Sequence, residues 1–324
     1  MPHAIRIHAN GGPEVLRWEE VAVGDPGPGE ARVRHSAIGV NYIDTYHRSG
    51  LYKLALPSGL GTEAAGTVEA VGTGVDWVKP GDRVACCIGP LGAYSESRVM
   101  PADRLVKLPE GVSERVAATL MLKGLTVQYL FRQTYKLKAG ETILFHAAAG
   151  GVGLIACQWA RALGVTMIGT VGSDEKAALA KANGCTHTIV YTRENFVERV
   201  KALTGGKGVP VVYDGIGKDT FPASLDCLSP RGLWVSFGNA SGAISAFDIL
   251  LLSQKGSLYA TRPTLATYAA TRENLNAMAG EMFDLVLAKK IVSKPRQTFA
   301  LKDAANAHRA LESRGTTGST ILLP

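Results

Sequence analysis

The opening residues Met1-Pro2-His3-Ala4-Ile5-Arg6-Ile7-His8 alternate polar and apolar side chains, the period-two pattern of a strand with one face against a core. Short Val- and Ala-rich runs follow, broken at close intervals by turn formers such as Gly24-Asp25-Pro26-Gly27-Pro28-Gly29 and Lys79-Pro80-Gly81-Asp82. That texture predicts an antiparallel β domain. It changes near Lys123: apolar residues take helical spacing from Leu125 to Tyr135, and an apolar strand follows from Thr142 to Ala147. Beyond this point strand and helix patterns alternate. The predicted strands are Ile143–Ala147, Thr166–Val171, Thr188–Tyr191, Val209–Tyr213, Leu233–Phe237 and Ser257–Ala260. Helical patterns such as Asp174–Asn183 and Glu194–Leu203 separate most of them. A βαβ series of this kind requires a parallel sheet covered on both faces. A helical stretch at Thr271–Ala288 and a terminal apolar run Thr320–Leu323 are expected to return and complete the first domain. The predicted division is therefore 1–123, 124–265 and 266–324, the outer two segments forming one domain. No tandem repeat or low-complexity segment interrupts it.

A length of 324 residues suits two domains, and 46% hydrophobic residues with a near-neutral mean hydropathy indicate a globular protein. No charged head precedes an apolar run at the start, and no window reaches the roughly 18 apolar residues of a membrane span. The expected compartment is the cytoplasm. Cys86, Cys87, Cys157, Cys185 and Cys227 show no C-x-x-C spacing and are read as reduced thiols that pack as small hydrophobes. The net charge of +7 would suit nucleic acid or a phosphorylated ligand. It is thinly spread, with Lys289-Lys290 the densest pair, so nucleic-acid binding is not the expected main role.

The chemistry concentrates after the strand Ile143–Ala147, in Ala148-Ala149-Gly150-Gly151-Val152-Gly153 leading into Leu154-Ile155-Ala156-Cys157. This is a Rossmann phosphate turn with Ala148 in place of the first glycine. Gly150 lets the backbone approach a pyrophosphate, Gly153 lets the helix lie against the strand, and the helix N-terminus supplies unpaired N–H groups. Gly164 closes the helix. The turn lies between a strand and a helix of a βαβαβ series, which separates it from an ordinary flexible loop. The second strand ends Thr170-Val171-Gly172-Ser173, and Asp174 after it reads as the first residue of a helix. With Gly172 and Ser173 at the strand end and Lys176 close by, a ribose 2′-phosphate is accommodated, which favours NADPH over NADH.

On these residues the chain resembles the quinone oxidoreductases of the zeta-crystallin type, zinc-free members of the medium-chain dehydrogenase/reductase superfamily. Gly140-Glu141, Leu144, the turn Ala148–Gly153, Gln158 and Arg161 match that family's signature. The resemblance spans the chain through Gly11-Gly12-Pro13-Glu14-Val15-Leu16, Asn41-Tyr42-Ile43-Asp44, Gly61-Thr62-Glu63-Ala64-Ala65-Gly66 and Gly318–Leu323. It implies an α/β fold in which a doubly wound Rossmann domain is inserted into a GroES-like β-barrel-type domain built from both chain ends. It further implies NADPH in a cleft between the domains, and a homodimer joined through the Rossmann domains. In the zinc alcohol dehydrogenases of this superfamily a Cys stands at the place of Asn41 and a His at that of Thr62, so the resemblance implies no metal here.

The resemblance assigns the reacting end to Asn41, Tyr46 and Tyr52, with Lys123 and Thr126 facing the nicotinamide. Cofactor contacts are implied for Tyr42, Ile43, Asp44 and Thr45 in the first domain, and for Tyr129, Ala148, Gly150, Gly151, Val152 and Gly153 around the phosphate turn. Gly172, Ser173, Lys176, Tyr191 and Arg314 are implied at the adenine end, and Ile216, Phe237, Gly238 and Asn239 at the carboxyl edge of the sheet. The loops Gly50–Lys53 and Phe237–Gly242 carry glycine beside these contacts and are expected to close on the cofactor. The expected reaction is hydride transfer from NADPH to a quinone without zinc or flavin, a small-molecule acceptor needing mainly positioning and an oxyanion donor. Reduction of an enone or alkenal double bond is the alternative, and a nucleotide-binding structural or RNA-binding role the second.

Overall fold

Along Glu30–Val40 every second side chain from Ala31 to Ala37 is buried, after which Ile38, Gly39 and Val40 are buried in succession. The change follows from the strand's position: it begins at a solvated face and ends inside the sheet. In a computed structural model describing residues 1–324, this strand belongs to the first of two units, formed by Met1–Leu125, Tyr268–Lys289 and Ser293–Pro324. Thr126–Thr267 and Lys290–Val292 make up the second.

The first unit carries a seven-stranded sheet in the order Pro295–Ala300, Ser319–Leu323, Glu30–Val40, Ala64–Val71, Arg83–Cys86, Val106–Lys107, with Ser97–Pro101 paired to Glu30–Val40. The C-terminal strand Ser319–Leu323 runs antiparallel to Glu30–Val40, with Thr320 opposite Val40. Three further strands, Arg17–Glu20, His3–Ile7 and Ser58–Gly59, form a separate antiparallel sheet. One core joins both chain ends, packing Ile5, Val33, Ile38 and Leu60 with Leu301, Ala304 and Leu322. The β reading omitted the helices Tyr42–Ser49 and Ala304–Glu312, which are short and bury only one face.

The second unit is a six-stranded parallel sheet ordered His187–Val190, Thr166–Val171, Thr142–Phe145, Val209–Asp214, Leu228–Ser236, Tyr259–Thr261. In chain order this is 3-2-1-4-5-6, the doubly wound arrangement whose crevice opens beside the first strand. The strand expected from Leu233 begins at Leu228, because Pro230-Arg231-Gly232 interrupts the apolar pattern without ending the pairing. The helix expected from Leu125 begins at Glu114 and ends at Tyr129, with a π-type turn over Leu130–Thr134. Ala117, Ala118, Leu120, Met121 and Leu125 are all buried, so its first turns lack the polar face that reveals a helix in sequence.

Candidate active site

At the carboxyl end of Glu30–Val40 the chain turns through Asn41 into the helix Tyr42–Ser49. Asp44 reaches back to the Asn41 N–H at 2.8 Å, which fixes the turn and directs the Asn41 amide elsewhere. That amide donates to Glu63 Oε2 at 2.8 Å, and the Lys123 ammonium donates to the same oxygen at 2.9 Å. The Leu122 N–H holds Glu63 Oε1 at 2.8 Å. Glu63, Asn41 and Lys123 are all buried. The packing depends on Gly39, where a Cβ would lie 2.1 Å from Glu63 Oε2 and 2.6 Å from the Ala118 carbonyl. Removing one partner of such a buried pair costs about 3–5 kcal/mol. Lys123 is therefore not a surface charge.

Glu63 is the residue the sequence reading missed. Its one signal was a single acid inside the small, uncharged run Gly61-Thr62-Glu63-Ala64-Ala65-Gly66. Beside it Thr62 is buried and its hydroxyl has no partner.

Tyr46 is buried and packs edge-on against Tyr52 with centroids 5.3 Å apart. The Tyr42 hydroxyl donates to the Leu311 carbonyl at 3.0 Å, the Thr45 hydroxyl to the Tyr42 carbonyl at 2.7 Å, and Ile43 is half-buried. Asp44 is wholly buried, and its carboxyl accepts from the Asn41 N–H and from the Tyr94 hydroxyl at 2.9 Å. Burial raises its pKa to about 7, against the Asn41 N–H, the Tyr94 hydroxyl and Lys123, with Glu63 reinforcing the rise. The chain of contacts continues from Tyr94 to His308 Nε2 at 3.1 Å, and from His308 Nδ1 to Arg48 at 2.9 Å. Arg48 always donates, so Nδ1 accepts and the His308 proton lies on Nε2. Burial, with Arg48 alongside, lowers the His308 pKa to about 3. Arg48 also makes a two-point ion pair with Glu312, at 2.6 and 3.1 Å.

In the second unit the strand Thr142–Phe145 ends in a turn that places Ala147 at φ +56°. Gly150 then precedes the helix Gly151–Ala162, and no side chain caps its first N–H groups. A Cβ at Gly153 would lie 2.3 Å from the Ala147 carbonyl oxygen, so helix and turn approach only because it is glycine. Ala148 fills the first-glycine position because Gly169 stands opposite; a Cβ there would meet the Ala148 Cβ at 2.5 Å. These open N–H groups, and a cradle that side chains would fill, fit the pyrophosphate of a dinucleotide.

A buried chain supports this turn from beneath. The Thr170 hydroxyl accepts from the Ala147 N–H at 3.3 Å and meets His146 Nδ1 at 3.0 Å, while His146 Nε2 meets the Ser224 hydroxyl at 3.0 Å. Ser224 donates to Asp214 at 2.9 Å. Asp214 also accepts from the N–H groups of Ile216 and Gly217, from the Thr220 hydroxyl and from the Trp234 indole. Burial alone would raise its pKa, but His146, Thr220 and the two turn N–H groups outweigh it and hold the carboxyl below its usual range. Ile216 is placed by this anchor. Phe237 follows, its N–H donating to the Asp214 carbonyl at 2.8 Å, and Arg262 holds the Gly238 carbonyl at 3.0 Å. Asn239 closes the next turn through the Gly242 N–H at 2.9 Å.

Beyond the carboxyl end of Thr166–Val171, Ser173 caps the helix Asp174–Ala182, its hydroxyl accepting the Lys176 N–H at 3.3 Å. Asp174 is the first helical residue, as read from sequence, and Arg193 grips both its oxygens at 2.6 Å. The exposed Tyr191 lies against Gly172, where a Cβ would stand 3.0 Å from its hydroxyl. Gly151 and Val152 are half-buried and Tyr129 is buried within this unit, as part of the helix that carries Thr126. Arg314 lies in the first unit, exposed and at φ +58° after the helix Ala304–Glu312.

Two family descriptions match the chain: an alcohol dehydrogenase GroES-like domain over residues 27–110 and a zinc-binding dehydrogenase over residues 151–280. A quinone oxidoreductase of Pseudomonas aeruginosa is 60% identical over 325 residues, covering all of both chains. The solved structure of an Escherichia coli quinone oxidoreductase complexed with NADPH has a TM-score of 0.98 at 53% identity, covering 99% of this chain and 100% of that one. A 2-haloacrylate reductase of Burkholderia is 49% identical, over 100% of this chain and 99% of its own. The zinc in the second family description does not fit the residues here. Asn41 gives its amide to Glu63, Thr62 offers only a hydroxyl, and the Lys123 ammonium on the neighbouring carboxylate would repel a cation.

Proposed function

The chain belongs to the quinone oxidoreductase family of the medium-chain dehydrogenase/reductase superfamily, and from that premise we propose that it reduces quinones with NADPH, using neither zinc nor flavin. The observation that carries this is full-length similarity to a quinone oxidoreductase complexed with NADPH, together with a phosphate turn whose Gly153 admits no side chain. When bound, NADPH supplies a hydride from nicotinamide C4. The N–H groups after Gly150 receive its pyrophosphate, and Gly172, Ser173, Lys176, Tyr191 and Arg314 the adenosine 2′-phosphate. Tyr42, Ile43, Thr45, Tyr129, Ile216, Phe237, Gly238 and Asn239 line the cofactor. At the reacting end, Asn41 and Lys123 arrive pre-oriented by Glu63, and Thr126 follows Lys123 on the helix Glu114–Tyr129. The phenols of Tyr46 and Tyr52 donate to the oxyanion that forms as the quinone accepts the hydride.

The test is stopped-flow oxidation of NADPH and NADH by 1,4-benzoquinone in metal-chelated buffer, for the wild type and Lys176→Ala. Fast oxidation that prefers NADPH, survives chelation and loses its preference in the variant is expected. No quinone-dependent oxidation with either nucleotide would overturn the proposal. The 49% identity to a 2-haloacrylate reductase supports a second reading, hydride delivery to an activated carbon–carbon double bond. Faster turnover of 2-chloroacrylate than of benzoquinone in the same apparatus would establish it.

Exposed Phe247, Ile249, Leu250 and Tyr259, beside the open edge strand Tyr259–Thr261, support a homodimer through the second unit. A monomer in sedimentation equilibrium would remove it. Five buried, unpaired cysteines support a reducing compartment, hence the cytoplasm. No helix is long and apolar enough to cross a membrane.

A further inference from the structure

An acid about 20 residues past the glycine turn of a Rossmann unit grips the ribose 2′-hydroxyl and repels a 2′-phosphate. Asp174 stands at that place, next to the cap residue Ser173. It is not left to act as that acid. Arg193 Nη2 meets Asp174 Oδ1 and Nη1 meets Oδ2, both at 2.6 Å, which saturates the two oxygens with a matched fork. Arg193 is brought there by the neighbouring strand His187–Val190, after which the Thr192 hydroxyl donates to the Gly172 carbonyl at 3.3 Å. The pair is exposed, 57% for Arg193 and 67% for Asp174, so it adds little to folding and its consequence is electrostatic.

The other charges make that consequence decisive. Arg199 is paired to Glu194 at 2.9 Å, and Glu175 shares the capping hydroxyl of Ser173. Without Arg193, the two carboxylates Asp174 and Glu175 at the start of the helix would stand against the cations proposed for the 2′-phosphate, Lys176 and Arg314. We propose that Arg193 is a specificity-determining residue, which directs the site to 2′-phosphorylated nucleotides by masking Asp174. This rests on the NADPH reading above.

The experiment is calorimetric titration of the full chain with adenosine 2′,5′-bisphosphate and with 5′-AMP, for the wild type, Arg193→Ala, and Arg193→Ala combined with Asp174→Asn. The wild type is expected to favour the bisphosphate, the single variant to lose about tenfold of that preference, and the double variant to regain most of it. Unchanged thermal midpoints across the set would exclude a folding effect. If Arg193→Ala keeps the preference, Arg193 has no role in it. Loss that Asp174→Asn fails to restore would mean that Arg193 acts by direct contact, and masking is overturned. A wild type without preference for the bisphosphate would instead sink the NADPH reading itself.

Discussion

Each unit buries one carboxylate in line with a histidine, and the two carboxylates are driven in opposite directions. Asp44 has two donors, the Asn41 N–H and the Tyr94 hydroxyl, and its Oδ1 has none. Asp214 has five, from Ile216, Gly217, Thr220, Ser224 and Trp234. Burial is the largest influence on both, yet it prevails at Asp44, whose pKa rises to about 7, and is overcome at Asp214. At equal burial, the charge of each acid follows from what surrounds it: His146 and the converging donors at Asp214 outweigh desolvation, and the two donors at Asp44 do not. The histidines agree with this. His146 and His308 are both lowered by burial and both carry the Nε2 proton in a consistent assignment of the chains.

Asp214→Asn sets an amide N–H against donors that need an acceptor, and is expected to destabilise the chain by about 3–5 kcal/mol in urea denaturation at pH 7. Asp44→Asn keeps an acceptor for both of its donors, and is expected to cost no more than about 1 kcal/mol at that pH. Equal losses would refute the argument from donor number.

The folded pKa of Asp44, about 7, lies above the ordinary value of 3.8, so the folded state holds the extra proton. Its contribution is full below pH 3.8 and is lost as the pH rises through 7. His308 has the opposite sign: with a folded pKa of about 3 against 6.5, its contribution is full above 6.5 and is lost as the pH falls through 3. The two slopes oppose between about pH 4 and 6.5. Asp44→Asn removes one of them, and stability is expected to fall with acid more steeply than in the wild type by about 1 kcal/mol per pH unit. Parallel stability curves would show that Asp44 does not titrate in this window.

Tyr94→Phe removes one of the two donors from Asp44 and the acceptor of the His308 Nε2–H, and is expected to cost about 1–3 kcal/mol. The remaining carboxyl is expected to titrate higher still, visible as a shift of the carboxyl carbon resonance to higher pH. A downward shift would mean that the hydroxyl does not stabilise the charged form.

What the sequence made legible was chemistry held in contiguous residues. The phosphate turn is six consecutive residues between a strand and a helix, and Gly150 and Gly153 sit where the close approach demands them. The strands of the parallel sheet were legible for the same reason, each being a short apolar run closed by turn residues. Glu63 was not legible as the anchor of Asn41 and Lys123, because its partners lie 22 and 60 residues away. Nor was Arg193, whose role exists only once two neighbouring strands bring it to Asp174. His308 belongs to a helix in the returning tail that the pattern did not reveal.

The C-terminal strand Ser319–Leu323 lies between Pro295–Ala300 and Glu30–Val40, with Ile321 and Leu322 fully buried. On the ribosome, the edge of Ile38–Val40 emerges about 280 residues before its partner, a wait of tens of seconds at ordinary synthesis rates. The second unit, nearly continuous in sequence, is released whole within that interval and can fold first. The nascent first unit therefore passes through a period with an unpaired sheet edge, the form most open to association with other chains. Translation speed between residues 40 and 320 thus sets how long the protein is exposed to aggregation.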